Sequence, residues 1–214
     1  SLDELKSHGI PIIEDLAHCF GGSINRQKLG SIGKIGMTSF GDRKFVDGGF
    51  GGAIFTNDSN ISEKIKSLLS PSTTDYKINY NYSIPNILSA IIYEKISLID
   101  KHIANRKQIA KKYIEKLSQI SGINVRYKSN QDSFFHRFII DVDSDKKIFI
   151  KNMADRGVVC GIGVDYPLHI MYKQNYDLPN TKTASKKGVA LPIRPNLTDE
   201  EIELITDAVK NILK

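Results

Sequence analysis

The sequence predicts an α/β protein in two parts joined by a long helix. Three observations carry that reading: a short β-branched run near the amino terminus, "IPIIED"; an apolar repeat at helical spacing from Pro85 to about Ile120; and, after it, a succession of strand, strand, helix and strand. With 40% apolar and 25% charged residues, the 214-residue chain lies in the ordinary globular range, long enough for one or two domains with cores of their own.

"SLDELKSHG" reads as a helix closed by glycine, and "IPIIED", ending in two carboxylates, as a buried strand whose carboxyl end faces a site. "HCFGGSINRQKLGSIGKIG", with five glycines, reads as loop. Strands are expected at "MTSF" and "GAIFTND", then a helix at "ISEKIKSLL" ended by Pro71. Leu88, Ile92, Ile96, Ile99, Ile103, Ala110, Ile114 and Leu117 recur at three- and four-residue steps, one stripe of a long amphipathic helix. Strands at "INVRY" and "HRFIIDVD", a helix at "DKKIFIKNMADRG" and a strand at "VVCGIGVD" make a compact α+β domain with a small sheet covered on one face. Thr198 and Glu201 have the spacing of a capping box and start a last helix. The expected division is residues 1–84, a first domain, and 85–214, the linking helix with the small domain.

The formal charge of +6 is concentrated in "KHIANRKQIAKKYIEK", where basic and apolar residues alternate at helical spacing. A solvated helix face explains this run better than a nucleic-acid stripe, because charge runs are usually surface and no recognised nucleic-acid-binding motif is present. The two cysteines, Cys19 and Cys160, are far apart in the chain, so the reading is a reduced, cytoplasmic protein without a disulfide framework or metal site. The longest apolar runs, such as "ILSAIIY", are too short to span a bilayer.

Chemistry is concentrated in "SFGDRKFVDGGFGG", where Lys44 stands among five glycines between two strands. A surface charge, a phosphate clamp and a Schiff-base nucleophile are all open to it. The glycines form neither a dinucleotide-binding fingerprint, which would open a helix, nor a P-loop, which would close on Gly-Lys-Ser/Thr. A turned backbone that brings Lys44 to a planar ligand remains. Asp15, at the end of its strand, is either a turn residue or the carboxylate that keeps a pyridine nitrogen protonated. His18 is either a loop histidine or a neighbour of the same ring.

"GIPIIEDLAH", "GSIGKIGMTSF", a lysine five residues after that serine, and "GGAIFTND" together resemble the DegT/StrS sugar aminotransferases, and the likeness continues through "NYNYSIPNILSAIIYEKI", "DYPLH" and "ALPIRPNLTDEEI". The resemblance implies fold type I, with pyridoxal 5'-phosphate as cofactor and transamination of a keto sugar nucleotide by an amino donor, glutamate. By position, Lys44 resembles the lysine that bonds to the cofactor, Asp15 the partner of the pyridine nitrogen, His18 the residue beside the ring and Ser39 a donor to the phosphate. Asn81 resembles an asparagine that reaches the phosphate bound by the neighbouring subunit, which implies a homodimer. Neither nucleic acid nor membrane is an expected partner.

The sequence departs from the family's usual text at Gly41, Asp42 and Arg43 before the lysine, at Phe50 in place of a glutamate, at Ser83 in place of an arginine and at Asp165 in place of a histidine. The resemblance also implies a long portion ahead of the Asp15 strand that this chain lacks. That makes a truncated or degenerate structural partner of an intact homologue an alternative reading, or association with a chain supplying the missing part. A sugar dehydratase of the same fold is a further alternative, but such relatives carry histidine in place of Lys44.

Overall fold

The computed structural model describes residues 2–69, 79–128, 133–164 and 166–213. The chain divides into two compact units, Ser1–Lys101 and His102–Lys214.

The first unit opens with α1 (Leu2–Ser7), stopped by Gly9 at φ +67°, and β1 (Ile13–Asp15). Within the stretch read as loop lies a small hairpin, β2 (Ser23–Ile24) and β3 (Gln27–Lys28). Asn25 and Arg26 connect it at φ 49° and 66°, the paired left-handed residues of a two-residue hairpin turn. β4 (Ile35–Ser39) lies parallel to β1, and β5 (Gly52–Phe55) returns antiparallel to β4, giving the order β1-β4-β5. Among the described residues this sheet thus has one parallel and one antiparallel pairing. Residues 40–51 contain no crossover helix and so can only turn the chain back. α2 (Ser59–Leu69) follows, capped by Asp58, whose Oδ1 accepts the N–H groups of Asn60 and Ile61 at 3.0 and 3.2 Å.

The expected long helix is present as α3 (Asn86–Ser97) and α4 (Ile99–Leu117), interrupted at Leu98. There the Leu98 N–H turns to Lys95 O at 3.3 Å, a tightened last turn, and Ser97 Oγ donates back to Glu94 O at 2.6 Å. The unit division at 101 falls after α3, whose Ile92 is buried within the first unit, whereas the sequence suggests a division at 84.

The second unit contains β6 (Ile123–Val125), β7 (Phe138–Val142), α5 (Lys146–Ala154), β8 (Gly161–Ile162), α6 (Leu168–Met171), α7 (Pro179–Lys187), β9 (Gly188–Leu191) and α8 (Asp199–Leu213). Its antiparallel sheet has the order β6-β7-β9-β8. β9, not foreseen, is a central strand buried at all four positions. α4 contributes Tyr113 and Leu117 to the core against Phe138, Phe149 and Val189, and the Tyr113 ring centroid lies 5.0 Å from that of Phe138. The Tyr113 hydroxyl donates to Pro192 O at 2.8 Å, and burial pushes this phenol above its ordinary pKa. From the basic run of α4, Lys112 and Lys116 pair with Asp199 and Glu203 of α8, while Arg106 turns inward to Ile193 O at 2.6 Å.

Candidate active site

The parallel register sets Asp15 opposite Met37, so β1 and β4 reach their carboxyl ends together, with Ser39 two residues beyond Met37. The segment carrying His18 leaves β1 at this end, and the loop carrying Lys44 leaves β4 there. Four of the five sequence-predicted residues therefore stand on segments leaving one end of one sheet.

Adjacent carboxylates on β1 take opposite faces, as the two-residue period of a strand requires. Asp15 is exposed, and its Oδ1 accepts the Ala17 N–H at 2.9 Å. Glu14 is buried and accepts three backbone N–H groups, from Gly30 and Ile32 at 2.8 Å and Gly33 at 2.6 Å. Burial raises the Glu14 pKa, but the three donors together outweigh it and hold the group below its ordinary value. Sequence reasoning singled out Asp15 and gave Glu14 no role. The signal that separates them is the glycine spacing downstream, where a Cβ on Gly33 would lie 2.6 Å from Ile12 O.

The Lys44 loop is tightly built. It closes through Phe40 N–H to Gly51 O and Gly48 N–H to Phe40 O, both at 2.8 Å, and buries Phe40, Phe45 and Val46. Asp47 organises the turn: its carboxylate accepts Gly49 N–H at 2.8 Å and Arg43 N–H at 3.3 Å, and its carbonyl accepts the Lys95 ammonium of α3. Gly48 is pressed against α3, where a Cβ would lie 2.5 Å from Ile92 Cγ1. Arg43, just before the lysine, sits in the left-handed region at φ +62°. Lys44 itself is half-buried, its N–H bonded to Gly41 O at 3.3 Å, and its ammonium has no hydrogen-bond or ion-pair partner among the described residues. Ser39 Oγ accepts the Gly41 N–H at 3.2 Å, which leaves its own proton available.

His18 is exposed. Asn81 is exposed in the irregular stretch before α3, between Tyr80 and Tyr82, whose rings stack 5.2 Å apart. Of the departures from the family text, Phe50 is 62% exposed and Ser83 is exposed, while Asp165 lies outside the described residues. Burial, then the charges of Asp15 and Glu14, push the Cys19 thiol up, and burial pushes Cys160 up to about 12, so both remain thiols at neutral pH. An open cleft of about 500 Å³, lined by Phe20, Lys28, Ser31, Phe55 and Thr56 among others, lies at the opposite end of β4 and β5 and includes none of the five residues.

A family model described as the DegT/DnrJ/EryC1/StrS aminotransferase family matches residues 2–210. The chain is 25% identical over 226 residues to a GDP-perosamine synthase of Vibrio cholerae, covering 98% of this chain and 61% of that protein. To a UDP-2-acetamido-2-deoxy-3-oxo-D-glucuronate aminotransferase of Pseudomonas aeruginosa it is 26% identical, covering 95% of this chain and 59% of the other. A DegT DnrJ EryC1 StrS aminotransferase from Brucella abortus superposes with a TM-score of 0.86 at 25% identity over all of this chain and 61% of that one. The S. venezuelae DesV structure, solved with a ketimine intermediate, superposes at 0.88 with 22% identity, again over 61% of its length, and shows a shared fold. The chain thus spans about three fifths of the relatives it matches. Fold, motif order and a family match over nearly every residue agree: the chain belongs to the DegT/DnrJ/EryC1/StrS aminotransferase family.

Proposed function

We propose that this chain is the lysine-bearing part of a pyridoxal phosphate-dependent aminotransferase that converts a keto sugar nucleotide to an amino sugar nucleotide, with glutamate as donor. The observation that carries the reading is a lysine ammonium without a partner among the described residues, on a loop that leaves the same sheet end as the exposed carboxylate of Asp15. The residues suit the group: an amine for an aldehyde, a carboxylate for a pyridine nitrogen, and a hydroxyl with a free proton for a phosphate. When bound, pyridoxal phosphate supplies an aldehyde carbon that takes up the amino group and a ring that draws electron density from the donor's α-carbon.

In this reading Lys44 Nζ would hold the cofactor at its aldehyde, and its amine would serve as the base for the proton on the donor's α-carbon. Asp15 keeps the ring nitrogen protonated and transfers no proton to substrate. His18 would stand beside the ring, and Ser39 Oγ–H would donate to the phosphate. Asn81 is assigned to the phosphate of a partner subunit in a cytoplasmic homodimer. The relatives named for perosamine and for an oxo-glucuronate sugar support the substrate class.

The test is incubation with pyridoxal phosphate, borohydride reduction and peptide mapping by mass. A single pyridoxyl adduct on Lys44 is expected. The alternative is a non-catalytic partner of an intact homologue, to which the departures at Phe50 and Ser83 point. Absence of label, or label spread over surface lysines, would decide for that alternative.

A further inference from the structure

Arg43 is placed as a ligand-binding residue would be. It precedes Lys44 by one peptide bond, and its side chain is 90% exposed. Its guanidinium meets Asp42 Oδ2 through Nε at 3.4 Å, a solvated pair of little strength, and the ion pair leaves the two terminal nitrogens of the fork free to bind. Its backbone is held at φ +62° by the Asp47 carboxylate on its N–H. A bulky residue in the left-handed region is strained, and glycine would remove that strain, yet the turn carries arginine next to the half-buried lysine.

We propose that Arg43 is a specificity-determining residue that grips an oxyanion of the substrate entering beside Lys44. This rests on the aminotransferase reading. The oxyanion is either the diphosphate of the sugar nucleotide or a carboxylate of the amino donor; both match the planar fork of a guanidinium.

The test uses the full chain with saturating pyridoxal phosphate, wild type against Arg43→Gly and Arg43→Lys. Inorganic pyrophosphate and glutarate are titrated calorimetrically, and Tm is measured for each protein. Arg43→Gly is expected to bind at least one anion about tenfold more weakly or worse while its Tm holds or rises, because strain has been removed. Arg43→Lys, which keeps the charge and loses the fork, is expected to recover part of that affinity. Selective weakening towards pyrophosphate assigns the diphosphate; selective weakening towards glutarate assigns the donor carboxylate. Unchanged affinity for both anions in Arg43→Gly, or no binding of either by the wild type, overturns the proposal. Borohydride labelling of Lys44 is run alongside and judges the cofactor reading separately, since the titrations are scored whether or not the label forms.

Discussion

The Glu14 carboxylate accepts the backbone N–H of Gly33 at 2.6 Å, and with Gly30 and Ile32 it ties the chain ahead of β4 to β1. That tie underlies the register that sets Asp15 beside β4. Glu14→Ala leaves three amides without their acceptor and is expected to cost roughly 2–4 kcal/mol in chemical denaturation.

The same carboxylate gives a pH prediction. Its folded pKa lies below the ordinary 4.5, so its contribution is fully present above that value and is lost as pH falls through the lower folded value. Denaturation midpoints followed from about pH 7 to about pH 3 should fall in the acid limb for the wild type. Glu14→Gln should be less stable at neutral pH and show a shallower acid decline.

Gly48 tests the seat of the lysine loop on α3. A Cβ there would meet Ile92 Cγ1 at 2.5 Å and Cδ1 at 2.8 Å, and Ile92 is 5% exposed. Gly48→Ala is expected to destabilise by about 1–3 kcal/mol through overpacking. Ile92→Ala costs stability alone but should recover part of the Gly48→Ala loss in the double variant, a coupling readable in a double-mutant cycle.

In the second unit, Thr198 Oγ1 accepts Glu201 N–H at 3.2 Å while Glu201 Oε2 accepts Thr198 N–H at 3.0 Å. Thr198→Ala should cost about 1 kcal/mol in thermal or denaturant unfolding.

How far such features were legible differs residue by residue. The capping box was readable because its two partners are local and three residues apart. The carboxyl end of β1 and the lysine loop were readable because glycine and charge punctuate them. β9 was not: "GVAL" is a buried run too short to show a period, and its pairing with β7 and β8 is decided by tertiary contact. The break at Leu98 does not interrupt the apolar spacing that predicted one continuous helix. The role of Glu14 depends on amides 16 to 19 residues away, a distance at which sequence spacing says little.

Asp15→Asn separates binding from chemistry. The variant should still give the Lys44 adduct after borohydride but lose transamination, because a neutral amide does not hold the ring nitrogen protonated. Transamination at the wild-type rate would leave Asp15 as a turn residue bonded to Ala17.

The most direct measurement is a crystal structure of the full chain grown with pyridoxal phosphate. Continuous density from Lys44 Nζ to the cofactor's aldehyde carbon, with the pyridine nitrogen at hydrogen-bond distance from Asp15, is the expected result. Cofactor bound elsewhere, or Lys44 and Asp15 facing separate cavities, would contradict it.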